Sequence, residues 1–150
     1  MKALRLPTVF LVAALAAACS DPPDDTPIGR DFAATMSKPE QQVAQVKVQH
    51  VLVAFVGAKR GSESKRNYEE ARAKAEQLLL QARGGADFAA LVKESDDDAP
   101  GIYTLTQDSR DDYARHFSDV AFRLAVGEVG VTPFHGSKSP FGFHVIKRLE

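Results

Sequence analysis

Val46-Lys-Val-Gln-His50-Val-Leu-Val-Ala-Phe55 is the stretch that decides the fold. It is rich in β-branched residues, alternates apolar and polar at its start, and reads as a strand. Period two places Val46, Val48, His50 and Leu52 on one face. A histidine in that apolar row needs a polar partner, because a buried polar group without one is costly.

Working outward, residues 57–65 form a polar loop with two glycines. Asn67 opens a helix, with Glu70 three residues on as its capping-box partner. Ala71, Ala75, Leu78, Leu79 and Ala82 follow at helical spacing, and Gly84-Gly85 ends the helix. Asp87 caps a second, short helix that presents Phe88, Leu91 and Val92. Pro100-Gly101 turns the chain into a short strand, Ile102-Tyr-Thr-Leu-Thr106. Residues 113–124 read as helix, with Phe117, Ala121 and Leu124 at i, i+4 and i+7. Val129 and Val131 mark another strand. Gly142-Phe-His144-Val-Ile-Lys-Arg-Leu149 is the last. Helices clustered between strands make this an α+β order, unlike the alternation of a parallel sheet.

The whole chain has 150 residues, 44% of them hydrophobic, and a net charge of -1. That suits one domain. A near-neutral chain lacks the basic footprint of a nucleic-acid binder. One cysteine makes no internal disulfide, and four scattered histidines spell no zinc site. No run of about 20 apolar residues is present, so no membrane-spanning helix is expected in the mature protein.

The average hides three segments. Residues 1–18 carry Lys2 and Arg5, then a short apolar run ending in small residues, the pattern of a secretory signal. Small residues followed by Cys19 resemble the lipobox of bacterial lipoproteins, with Leu15 four rather than three residues before the cysteine. The resemblance implies cleavage before Cys19 and lipidation of its thiol. Ser20, in place of aspartate, implies sorting to the outer membrane, with the protein facing the periplasm. Residues 19–45 hold four prolines and five acidic residues and read as a flexible acidic tether. As coil they would span roughly 30 Å. Within them Ile28, Phe32 and Met36 offer only a weak docking stripe. Residues 46–150 are the globular part, with equal numbers of basic and acidic residues.

That globular part resembles the parvulin family of peptidyl-prolyl cis/trans isomerases. The likeness rests on Val48-Gln-His50-Val-Leu-Val53, on Gly85-Ala-Asp-Phe-Ala-Ala-Leu-Val-Lys-Glu-Ser-Asp96, on Phe117-Ser-Asp-Val-Ala-Phe122, and on Phe141-Gly-Phe-His144-Val-Ile-Lys. It implies a four-stranded antiparallel sheet surrounded by about four helices, with the first and last strands as central neighbours. His50 and His144 would then sit side by side. It also implies catalytic roles for His50, Asp97 and His144, without cofactor or metal. Asp96, one residue away, competes with Asp97. Leu105, Tyr113 and Phe117 would form the proline pocket, with Phe122 just behind as pocket or core. His116 and His135 read as surface residues.

The expected partners are proline-containing unfolded or nascent proteins of the bacterial envelope, met by a monomer. Lys59, Arg60, Lys65 and Arg66 make one loop basic, which suggests a mild preference for an acidic residue before proline. The sequence departs from the family between Gly101 and Tyr113. A Gly-Gly-Asp-Leu-Gly-x-Phe-like run is usual there, and this chain has Gly101-Ile-Tyr-Thr-Leu105-Thr-Gln. Tyr113 and Ala114 replace the common methionine and glutamine. The departure leaves a second reading open, in which a weakly active or inactive domain serves as a chaperone or assembly-factor module.

Overall fold

The computed structural model describes residues 24–61, 63–97 and 101–150. The leader and Cys19 lie outside them. The elements run α1 (Pro27–Met36), β1 (Gln45–Val53), α2 (Tyr68–Arg83), α3 (Phe88–Val92), β2 (Ile102–Thr106), a 3-10 turn (Arg110–Asp112), α4 (Arg115–Ala121), β3 (Val129–Thr132) and β4 (Phe143–Arg148). The strands form one antiparallel sheet in the order β2-β1-β4-β3, so the first and last strands are the central pair.

Alternation along β1 and β4 divides the core. Val51, Val53, Phe143 and Val145 face α2 and α3, where they meet Ala75, Leu78 and Phe88. Val46, Val48 and Ile146 face α4, where they meet Phe117, Val120 and Leu124. The helices therefore cover both faces. Local signals set their ends. Asn67 and Glu70 exchange backbone and side-chain bonds of 2.8 and 2.9 Å, and Asp87 accepts the Ala89 N–H.

Gly142 lets β4 approach β1. Its φ is +139°, and a Cβ there would lie 2.3 Å from the Val53 carbonyl oxygen. Only glycine fits that position, two residues ahead of His144.

The tether expected over 19–45 is corrected for its described part. Pro27–Met36 is a helix, started by Thr26, whose hydroxyl accepts the Gly29 N–H at 3.1 Å. It lies across the edge strand β3 and touches both α2 and α4. Ile28 is completely buried, and Phe32 and Met36 pack beside Phe117's cluster. Two of the acidic residues that suggested a solvated coil are paired instead. Asp31 meets Arg83 at 2.6 Å, and Glu40 meets Arg110 and Arg123. Gln41 is fastened through its backbone to Phe122 and through its side chain to Leu124 and Arg148. His116, expected on the surface, is buried, with its ring 4.7 Å from that of Phe32.

Candidate active site

His50 and His144 come from the two central strands. In the register His50 stands opposite Ile146 and His144 opposite Leu52, so the rings meet on a diagonal of one sheet face. Their Nδ1 atoms are 3.1 Å apart and the rings stack at 20°. Both side chains are buried.

The acidic segment after α3 completes the row. β2 pairs with β1 only over Gln45–Gln49, which leaves the next residues of β1 without a strand on that side. The Leu52 N–H donates to Ser95 Oγ at 2.9 Å, the Asp96 N–H to the Leu52 carbonyl at 2.9 Å, and the Ala54 N–H to Asp96 Oδ2 at 2.9 Å. Asp96 also takes a two-pronged contact from Arg66, at 2.6 and 3.1 Å. These bonds turn Asp96 into a brace and aim Asp97 the other way, with its Oδ2 2.9 Å from His50 Nε2. The geometry thus separates the two candidates: Asp96 holds backbone and Asp97 reaches the histidines.

The partners set the protons. Asp97 as carboxylate accepts only, so His50 carries its proton on Nε2. In the neutral form of His50 the bare Nδ1 then accepts from His144 Nδ1–H. His144 Nε2 is left as a buried lone pair with no hydrogen-bond partner among the described residues. Burial and the neighbouring His50 push the His144 pKa down to about 3, so this ring stays neutral.

These groups form the floor of a groove of about 370 Å³. Its apolar wall is made by Leu52, Tyr103, Tyr113, Phe117 and Phe141. Phe117 turns its ring nearly edge-on to His50 at 5.1 Å and stacks with Tyr113 at 6.0 Å. Arg60 stands at the rim, 3.6 Å from Asp97 Oδ1 and over the Phe141 ring.

His50, Asp97, His144, Tyr113 and Phe117 are brought together as the sequence suggested. Leu105 and Phe122 are not. Both are fully buried in the core beneath α4 and do not reach the groove. Leu105 shares its face of β2 with Tyr103 but lies two residues further along, opposite Val46 rather than Val48. That offset of about 7 Å moves it from the groove to the core. Phe122, at the end of α4, lies under the guanidinium of Arg110.

The sequence reading misses Tyr103 and Phe141 as groove residues, while Arg60, expected in a basic loop, stands at the groove rim. Tyr103 had a readable signal, since its alternation with Leu105 puts it on the inward face. Its hydroxyl donates to Asp97 Oδ2 at 2.8 Å. Burial and that carboxylate push its pKa up to about 12. Phe141 lies in the stretch Phe141-Gly-Phe-His144, where nothing in the spacing separates a rim residue from a strand residue.

A 2-1-4-3 antiparallel sheet with helices on both faces, carrying two abutting histidines under an aromatic groove, defines the parvulin class of fold. Comparison with known proteins agrees. The chain belongs to the PPIC-type PPIase domain family, whose model matches residues 34–150. It is 31% identical over 123 residues to the chaperone SurA of Xylella fastidiosa, and 30% identical over 122 residues to the chaperone SurA of Nitrosococcus oceani. Each match covers 80% of this chain but only 24% and 27% of those relatives, so the chain spans about a quarter of their length. The fold is similar to that of the peptidyl-prolyl isomerase ESS1 from Candida albicans. The TM-score is 0.58 at 21% identity, covering 82% of this chain and 73% of that one.

Proposed function

We propose that this chain is a peptidyl-prolyl cis/trans isomerase that assists folding of proline-containing proteins in a bacterial cell envelope. One observation carries the reading: the hydrogen-bonded row Asp97–His50–His144 forms the floor of an apolar, aromatic-walled groove.

The chemistry asks for little more. Rotation about X–Pro must break amide resonance, a barrier of about 18–20 kcal/mol. No bond is cleaved and no cofactor is required. The catalyst holds the proline ring, lets the acyl side swing, and binds the twisted amide better than the planar one. Leu52, Tyr113, Phe117 and Phe141 offer the ring an apolar seat that excludes water, which solvates the more polar planar amide preferentially. Asp97 orients and polarises His50, and His50 orients His144, so the row presents fixed dipoles where the amide charge redistributes. Asp97 makes an attack on the carbonyl a poor route, since a paired, hydrogen-bonded carboxylate is a weak nucleophile. The test is cis/trans exchange of an Ala-Pro peptide by NMR, which the purified chain accelerates.

The location rests on the sequence. The leader, the small residues before Cys19 and Ser20 after it support a lipid anchor on the outer membrane, with a monomeric domain facing the periplasm. Cys19→Ser moves the protein from the membrane fraction to the soluble one under this reading.

A second reading is favoured by the divergent 101–107 run and by the name chaperone borne by both curated relatives. In it the groove holds extended client chain without turnover. Peptide binding without acceleration would select this reading.

A further inference from the structure

We infer that the Tyr103 hydroxyl is a positioning group that fixes Asp97, and through it the proton positions of His50 and His144. This deepens the proposed isomerase reading and rests on it for its consequence in turnover.

The geometry is specific. Asp97 Oδ2 receives two donors, Tyr103 Oη–H at 2.8 Å and His50 Nε2–H at 2.9 Å. The Tyr103 ring stands edge-on to His50, at 5.0 Å and 82°. One residue therefore touches the carboxylate with its polar end and the imidazole with its apolar body. Asp97 is nearly buried, with 9% of its side chain exposed. A carboxylate so placed needs its lone pairs filled. Among the contacts of the described residues, His50 supplies one bond at 2.9 Å, and Arg60 stands further off at 3.6 Å from the other oxygen. The phenol supplies the second short bond.

Two consequences follow. First, an acceptor held by two donors turns to neither side, so His50 Nε2–H stays aimed at Asp97. The His50 Nδ1 lone pair then stays aimed at His144. Second, the bond comes from the strand where this chain departs from the family pattern. β2 lacks the glycine-rich run, and its Tyr103 places a hydrogen-bond donor on the groove wall. The divergent strand is thereby wired into the histidine row.

Tyr103→Phe keeps the ring and removes the hydroxyl. The first readout is the ¹⁵N spectrum of the imidazoles at pH 7. The wild type shows His50 as the single Nε2–H form and His144 as the Nδ1–H form. Tyr103→Phe shows His50 as a mixture. The second readout is turnover of an Ala-Pro peptide: kcat falls roughly tenfold, as for loss of a hydrogen bond to a charged group, while KM stays within twofold. Tyr103→Leu, also lacking the hydroxyl, gives the same spectrum and guards against a fault peculiar to one variant. A wild-type His50 protonated on Nδ1 alone overturns the inference. So does a folded Tyr103→Phe with unchanged spectrum and kcat. A wild type that accelerates no peptide overturns the isomerase reading instead, and the spectra still decide the role of Tyr103.

Discussion

His50 and His144 share a 3.1 Å contact through their Nδ1 atoms, and among the described residues only His50 reaches a carboxylate. His50 is fastened to Asp97. His144 ends the row with Nε2 buried and without a partner among the described residues. The inequality between two like side chains gives the site its direction, from Asp97 inward.

His144 makes the stability of the domain depend on pH. Its folded pKa is about 3, below the usual 6.5. Between those values the unfolded chain holds a proton at His144 that the folded chain refuses. Stability from this group is complete above about pH 6.5 and is lost as pH falls toward 3, by at most about 1.4 kcal/mol per pH unit. Urea unfolding at pH 6.5 and 4.5 is expected to show the wild type losing on the order of 2 kcal/mol more than His144→Gln. Parallel losses in the two proteins would contradict the burial argument.

The neighbouring aspartates are expected to fail differently. Asp96→Asn loosens the Arg66 contact and weakens the brace on Ala54, and costs about 1–2 kcal/mol of stability with the exchange rate of the folded fraction little changed. Asp97→Asn leaves the fold and lowers turnover roughly tenfold, about 1.4 kcal/mol of barrier. Urea unfolding beside peptide exchange separates them. A reversed pattern would exchange their roles.

Helix α1 is expected to belong to the folding unit. Ile28→Ala empties a completely buried site against β3 and α2 and costs about 2–4 kcal/mol. If residues 24–45 served as a loose tether, the melting temperature would not move.

Lys59 and Arg60 lie over the Phe141 ring at the groove rim, 5.5 and 5.1 Å from its centroid. An acidic side chain before proline would meet them in solvent. Exposed pairs are worth about 0.2–1 kcal/mol, so Glu-Pro is expected to exceed Ala-Pro by roughly 1.4- to fivefold at low salt. The advantage should shrink in about 0.5 M salt, where the Debye length is about 4 Å against about 30 Å at roughly 0.01 M. Equal rates for the two peptides at low salt would remove the preference.

The sequence was most legible where the determinants are local. The alternation of β1, the Asn67–Glu70 box and the Asp87 cap each lie within a few residues and reappear as read. The paired histidines were reached through family resemblance, since no spacing rule joins positions 94 residues apart. What stayed hidden depends on distant partners. Asp96 and Asp97 look alike until Ser95 and Asp96 are laid along β1. Helix α1 shows only three large apolar residues, and two acidic residues of its segment find their cations at Arg83 and Arg110, far along the chain. Leu105 matches the leucine of the family's run, while the groove is walled by Tyr103, one period of the strand away.

The central claim is that the row from Asp97 to His144 makes this groove an isomerase. Its most direct test is NMR exchange of an Ala-Pro peptide with the purified chain and with His50→Ala, each shown to be folded. The account predicts clear acceleration by the wild type and a loss of at least tenfold in His50→Ala. Equal acceleration by both proteins, or none by the wild type, would contradict it.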